Sequence, residues 1–146
     1  MAKTKVEEIE LKAEASSIEA AFSKIAINMF SIVTDTEKIN ENLRKTLMMR
    51  SKDLKSLLYL YLKKLFDLAN NELFLLKEIK DLKIESINEE YLLTAVAYGD
   101  KYNPKYEVKD VVKLITERNI AIKEDTKNAT AQINIIVERR NVEDEV

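Results

Sequence analysis

The hydrophobic residues of this chain change their period repeatedly, and that limits the folds open to it. Over residues 6–14, VEEIELKAE, apolar and charged residues alternate. Ile9, Leu11 and Ala13 point one way and Glu8, Glu10 and Lys12 the other, as in a half-buried strand. From Ser16 the period becomes helical: Ile18, Phe22, Ile25 and Met29 recur on one face, widened by Ala21, Ala26 and Val33. Ser16 is placed to cap this helix, and Glu19, three residues on, to close a capping box. Alternation returns through Leu43, Lys45, Leu47 and Met49. A second helix then starts behind Ser51 as its cap, with Leu54, Leu57, Leu58, Tyr61, Leu65 and Leu68 inside; Leu60, Leu62 and Phe66 make it apolar beyond one stripe.

The remainder reads as strands. ELFLLKEIKDLKIES alternates with a slip at Lys80–Asp81, the sign of a bulge or break. EEYLLTAVAYG and YEVKDVVKLITER follow, the latter with Val112, Leu114 and Thr116 on one face and Val111, Lys113 and Ile115 on the other. NIAIKED and ATAQINIIVE read as a closing hairpin around DTKN, with Asp125 and Asn128 as turn residues. Consecutive strands on short turns pair antiparallel, and two helices are too few to cover both faces of such a sheet. The expected fold class is α+β: a two-layer sandwich of a mostly antiparallel sheet with two helices packed on one face. One domain over residues 1–137 is expected, followed by a polar tail, 138–146, that frays.

Composition removes much chemistry. The 146 residues include no cysteine and no histidine, so thiolate nucleophiles, disulfides and the commonest general base and metal ligand are absent. A net charge of -2, with basic and acidic residues interleaved, gives no support for direct nucleic-acid binding. No glycine-rich phosphate loop or catalytic constellation stands out, so an enzyme is not expected. No apolar run reaches the ~18 residues of a membrane span, and MAKTKVEEIE lacks the apolar core of a signal peptide. The expectation is a cytoplasmic protein with no membrane partner. The methionines Met29, Met48 and Met49 fall at apolar positions and read as core fillers.

The chain's one glycine and one proline, Gly99 and Pro104, share the stretch AVAYGDKYNPKYEVKDVVKLIT, residues 95–116. One reading is a tight connection, with glycine supplying φ > 0 and proline fixing φ after Asn103. The other is a recognition loop presenting Tyr98, Tyr102 and Tyr106.

This stretch resembles the archease family, whose members carry a strand ending in aromatic-Gly-acidic, a DP or NP turn, and a strand of the form TEVKAITYH. SSIEAAFSKIAINMFSIVTDTEKI and SKDLKSLLYLYLKKLFDLANNELFLL resemble that family's two helices in the same order, so the similarity is collinear over residues 8–137. The resemblance implies an accessory protein of the RNA-splicing (tRNA) ligase. Such a protein promotes the ligase's guanylylation and multiple turnover through protein–protein contact. It also implies calcium, which some members hold through carboxylates that include the chain terminus.

Carried over by position, the aspartate of the family's HTAD motif falls on Glu8, the MTD aspartate on Asp35 and the TEVK lysine on Lys113. Lys113 and Asp35 are thereby the implied partner-contact residues, and Glu8 and Asp35 the implied metal ligands. The tyrosine and histidine after the lysine fall on Glu117 and Arg118, and the terminal F-D-I on Ile135, Ile136 and Val137, with nine residues beyond. A calcium ion needs ~6–8 oxygens, so the loss of that aspartate leaves a weak site. Each residue also has a plainer reading: Lys113 and Glu8 on solvated strand faces, Asp35 as turn or cap chemistry. The alternative for the whole chain is an archease-fold scaffold, a diverged paralogue or redesigned chain, without ligase-assisting activity or metal site.

Overall fold

The computed structural model describes residues 3–142, with side chains described from Thr4 to Arg140. The elements are β1 (Lys3–Ala15), α1 (Ile18–Val33), a 3-10 turn (Thr36–Lys38), β2 (Leu43–Ser51), α2 (Leu54–Glu72), β3 (Phe74–Ile87), β4 (Glu90–Lys101), β5 (Val111–Ile115), β6 (Ala121–Glu124) and β7 (Ala129–Val142). The fold class is the expected α+β, with two helices and antiparallel pairing throughout. The strands divide into two sheets rather than one: β1-β7-β5, with β6 also on β7, and β2-β4-β3. Both edges of β4 are occupied, so the chain leaving it must start elsewhere. It crosses to α1, where Lys109 N–H donates to the Val33 carbonyl (2.6 Å) and Asp110 N–H to that of Ile32 (3.2 Å), and delivers β5 to the other sheet.

The helices bury the faces their periodicity marks. Ala21, Phe22, Ile25, Ala26, Met29 and Phe30 of α1 and Leu57, Leu58, Tyr61, Leu62, Leu65 and Leu68 of α2 are buried. α1 packs on β1, β7 and β3, and α2 on β2, β3, β4 and β5. Tyr61 is wholly buried; its hydroxyl donates to the Phe22 carbonyl at 3.0 Å, which satisfies the one polar atom the ring carries into the core. Both caps lie further along than the expected Ser16 and Ser51. β1 runs to Ala15, so Ser17, not Ser16, caps α1 by accepting from Ala20 N–H (3.1 Å), and Glu19 closes no capping box. β2 consumes Ser51, and Asp53 caps α2 by accepting from Ser56 N–H at 2.7 Å. Met29 is core, as expected, but Met48 is 68% exposed on β2. β7 continues past residue 137 to Val142, so residues 138–142 of the expected tail belong to the sheet; residues 143–146 lie outside the described residues.

The slip at Lys80–Asp81 is a bulge, with the β3–β4 register shifting between Lys80 and Lys83 and Asp81 at φ 54°. Asp125 and Asn128 close the β6–β7 hairpin: the Asp125 carboxylate accepts from Lys127 and Asn128 N–H at 2.9 and 2.8 Å. Gly99 is needed for a different reason than φ > 0. Its φ is not positive; it sits inside β4, where an added Cβ would run into the Leu75 carbonyl oxygen and come within 2.9 Å of the Phe74 ring. Left-handed backbone instead falls on non-glycine residues, among them Asn88 (φ 51°) and Glu89 (φ 63°) in the two-residue turn of the β3–β4 hairpin.

Two substitutions test this backbone reading by thermal unfolding. Gly99→Ala should destabilise by about 1–3 kcal/mol, as overpacking against a fixed backbone does; an unchanged melting temperature would contradict the close approach. Glu89→Gly should stabilise by about 1 kcal/mol, because Asn-Gly suits a turn with both central φ values positive and a non-glycine residue there carries the left-handed cost. A lower melting temperature for Glu89→Gly would contradict that turn.

Candidate functional site

Two of the three residues singled out from the sequence, Glu8 and Lys113, lie beside β7, the strand to which β1, β5 and β6 all bond. Along β7, Ala129, Ala131, Ile133, Ile135 and Val137 are buried against the core, while Thr130, Gln132, Asn134, Ile136 and Glu138 face outward. On that outward face Glu8 of β1 stands directly across from Ile136, and Leu114 of β5 lies across from the same residue on the other side. Lys113 is the extra residue of a β-bulge: Val112 pairs with Val137 and Leu114 with Ile136, leaving Lys113 between them. The bulge resets the strand's phase. Val112 and Ile115 are buried and Leu114 is 47% exposed, so the expected face of Val112, Leu114 and Thr116 is broken at its middle. β5 is also shorter than its sequence suggested, because Tyr106–Asp110 is spent on the crossing to α1. The Lys113 ammonium lies 3.6 Å from the Glu138 carboxylate, one outward step along β7 from Ile136. Glu8 and Lys113 therefore share one sheet face.

Asp35 does not join them. It caps the 3-10 turn, accepting from Glu37 N–H at 3.2 Å, and lines a separate polar concavity with Lys38, Lys105, Glu107 and Lys109. Its plainer reading, cap chemistry after a helix end, describes what its side chain does.

Arg118, in the sequence only a replaced family position, is the residue that engages Glu8. Its guanidinium donates to both Glu8 oxygens, Nη2 to Oε1 at 2.8 Å and Nε to Oε2 at 3.0 Å. Asn134 donates to Glu8 Oε2 at 2.7 Å. The hydrogen bonds from Arg118, then from Asn134, hold the Glu8 carboxyl below its ordinary pKa, and Glu8 raises that of Arg118 in return. The alternation of β1 put Glu8 outward, but no local pattern shows that the β5–β6 loop turns back over it.

The β4–β5 loop is held by a latch. Asn103, Pro104, Lys105 and Tyr106 form a β-turn, with Tyr106 N–H donating to the Asn103 carbonyl at 3.0 Å and Lys105 N–H to its side chain at 3.0 Å. This swings Tyr106 inward, where it is buried with Ile39 and Leu75. Its hydroxyl donates to Asp100 Oδ2 at 2.5 Å and accepts from Asn40 N–H at 3.1 Å. Of the three tyrosines, Tyr106 is thus an anchor, and Tyr102 is the one exposed at 39%.

The family model described as Archease protein family (MTH1598/TM1083) matches residues 8–137. The chain belongs to the archease family. The two ends of that match are neighbours across the β1–β7 ladder, where Glu7 pairs with Val137 and Glu8 with Ile136. The chain is 32% identical over 116 residues to protein archease of Pyrococcus furiosus, covering 79% of this chain and 81% of that one. It is 29% identical over 127 residues to protein archease of Methanosarcina barkeri, covering 86% and 87%. The fold is similar to the solution structure of Methanobacterium thermoautotrophicum protein 1598, with a TM-score of 0.76 at 23% identity over 90% of this chain and 96% of that one.

Within this archease fold, Glu8 and Asp35 do not fit a shared calcium ion. Glu8 is bonded to a guanidinium and an amide, its cross-strand neighbour is Ile136, and Asp35 lines a concavity that does not include Glu8. Among the described residues no group of three or more acidic side chains is arranged to hold a metal.

The latch makes a pH prediction. The Tyr106 hydroxyl, followed by the Lys101 N–H and Asn42, lowers the Asp100 pKa from the ordinary 3.8. A carboxyl depressed in the folded state contributes stability that is full above its unfolded pKa and is lost as pH falls through the folded value. Wild type should therefore melt above Tyr106→Phe at neutral pH, with the gap closing as pH falls below about 4. A gap that stays constant across that window would contradict an ionised Asp100 as the partner.

Proposed function

We propose that this chain is an archease-type accessory protein of the RNA-splicing ligase, acting by protein–protein contact in the cytoplasm and not as a catalyst. It would promote the ligase's guanylylation and its repeated turnover. The observation that carries this reading is the family match over residues 8–137, supported by the meeting of the carried-over positions Glu8, Lys113, Arg118 and Ile136 on one face. Lys113 suits a contact role. It is lifted from the ladder by its bulge, its side chain is half exposed, and its one ionic partner among the described residues, at 3.6 Å, is loose enough to exchange. Around it Leu114 and Val6 are exposed, and apolar surface beside one cation is what a protein partner uses. The interleaved signs of Glu8, Glu10, Lys12, Lys113, Arg118 and Glu138 favour a protein over an RNA backbone.

A second reading, a scaffold of the same fold without ligase-assisting activity, draws on the occupation of Glu8 by Arg118. One reconstituted assay separates the two. With purified ligase and a molar excess over it of an RNA substrate bearing a 3′-phosphate, wild-type chain should raise multiple-turnover ligation. Lys113→Ala should lower that stimulation about tenfold, the loss of one well-placed contact. No stimulation by wild type would select the scaffold, and full stimulation by Lys113→Ala would remove Lys113 from the contact.

A further inference from the structure

We infer that Arg118 is a built-in cation standing at the position where the family resemblance expects a metal ion, so that this face keeps its positive charge without calcium. The inference rests on family membership and on the geometry around Glu8, and not on the ligase reading; the ligation assay leaves it untouched.

The arginine is held in place by backbone as well as by charge. Arg118 N–H donates to Thr116 Oγ1 at 3.0 Å, and the same hydroxyl donates to the Asn134 carbonyl at 2.6 Å. The Arg118 carbonyl accepts from Asn134 N–H at 3.0 Å. Asn119, at φ 58°, then turns the chain, and its side chain donates to Glu10 at 3.0 Å. The loop is thus stitched to β7 on both sides of Arg118 and to β1 beyond it, which presents the guanidinium to Glu8 in a planar, two-bond fit. Asn134 fills the next acceptor position on Oε2.

A divalent ion at this carboxylate would need ~6–8 oxygens. Glu8 offers two, both already taken, and the residue facing it across the ladder is Ile136, which offers none. The ion would also have to displace a like charge. The Arg118 side chain is 59% exposed, so the pair adds little to folding stability. Its effect is the placement of charge: the guanidinium neutralises Glu8 and keeps its remaining donors exposed on the face that Lys113 shares.

The test uses the full chain and reads melting temperature in EDTA and in millimolar calcium chloride at matched ionic strength. A ligand that binds only the native state must raise it. Wild type should melt at the same temperature in both; a calcium-dependent rise above roughly 3 °C would overturn the inference. Ile136→Asp with Arg118 retained should also be insensitive to calcium, and a rise there would mean that the arginine does not exclude the ion. The double variant Arg118→Ala/Ile136→Asp removes the cation and places a second carboxylate across from Glu8. It should gain a calcium-dependent rise of several degrees, and a flat response would mean that Arg118 does not stand at an ion position. Ile136 faces outward on the sheet, so the variants keep the core.

Discussion

Every strand of the first sheet hydrogen-bonds to β7, and the register of that one strand decides what the outer face carries. Because side chains alternate, a slip of one residue exchanges the two faces of a strand. β1 pairs with β7 so that Leu11 and Ala13 are buried and Glu8 and Glu10 are outside. β5 pairs with it through a bulge. Were Lys113 paired in a regular ladder instead of bulged out, Leu114 would lie across from Ile135 and turn toward the core, and Ile115 would turn to solvent. With the bulge, Ile115 is buried and Leu114 joins Glu8 on either side of Ile136. The bulging of Lys113 out of the ladder therefore sets both the core contact of β5 and the composition of the candidate surface.

The second sheet contributes by delivering the chain to this arrangement. β4 must approach the Leu75 carbonyl closely, which only Gly99 allows, and the chain must then cross from β4 to α1. The Asn103–Tyr106 turn and the Tyr106–Asp100 hydrogen bond fix the start of that crossing, and the bonds of Lys109 and Asp110 to the end of α1 fix its finish. Asp110 goes on to accept from Arg139 at 3.1 Å and from Arg140 N–H at 2.9 Å, so the same segment is pinned to β7 just before β5 begins. The glycine and proline sit in one stretch because both serve this change of sheet.

The local features were legible in the sequence. Alternation gave the faces of β1, helical spacing gave the buried stripes of α1 and α2, and the DTKN turn and the slip at Lys80–Asp81 could be read from residue types alone. What escaped depended on pairing between distant segments. Ser16 and Ser51 have cap chemistry, but the strands before them run on and pass the role to Ser17 and Asp53. The bulge at Lys113 exists only in the register of β5 on β7, and the YEVKDVVKLITER pattern alternates equally well without it. Arg118 could be noted as a replaced family position, but its contact with Glu8 spans most of the chain. Asp35 kept the family residue type, yet its side chain serves a cap in a lysine-lined concavity away from Glu8 and Lys113.

The pairing of β1 with β7 is the claim on which the rest stands, and a cysteine-free chain allows a direct measurement. Residues facing each other across an antiparallel pair lie ~4.5–5.5 Å apart at Cα, within disulfide reach, whereas residues one step out of register point to opposite faces. Mild oxidation of Glu8→Cys/Ile136→Cys should close an intramolecular disulfide, seen as protection from alkylation and loss of two mass units, while Glu8→Cys/Ile135→Cys stays reduced. Crosslinking of the second pair and not the first would shift the register by one residue and take Glu8, Ile136 and Leu114 off their common face.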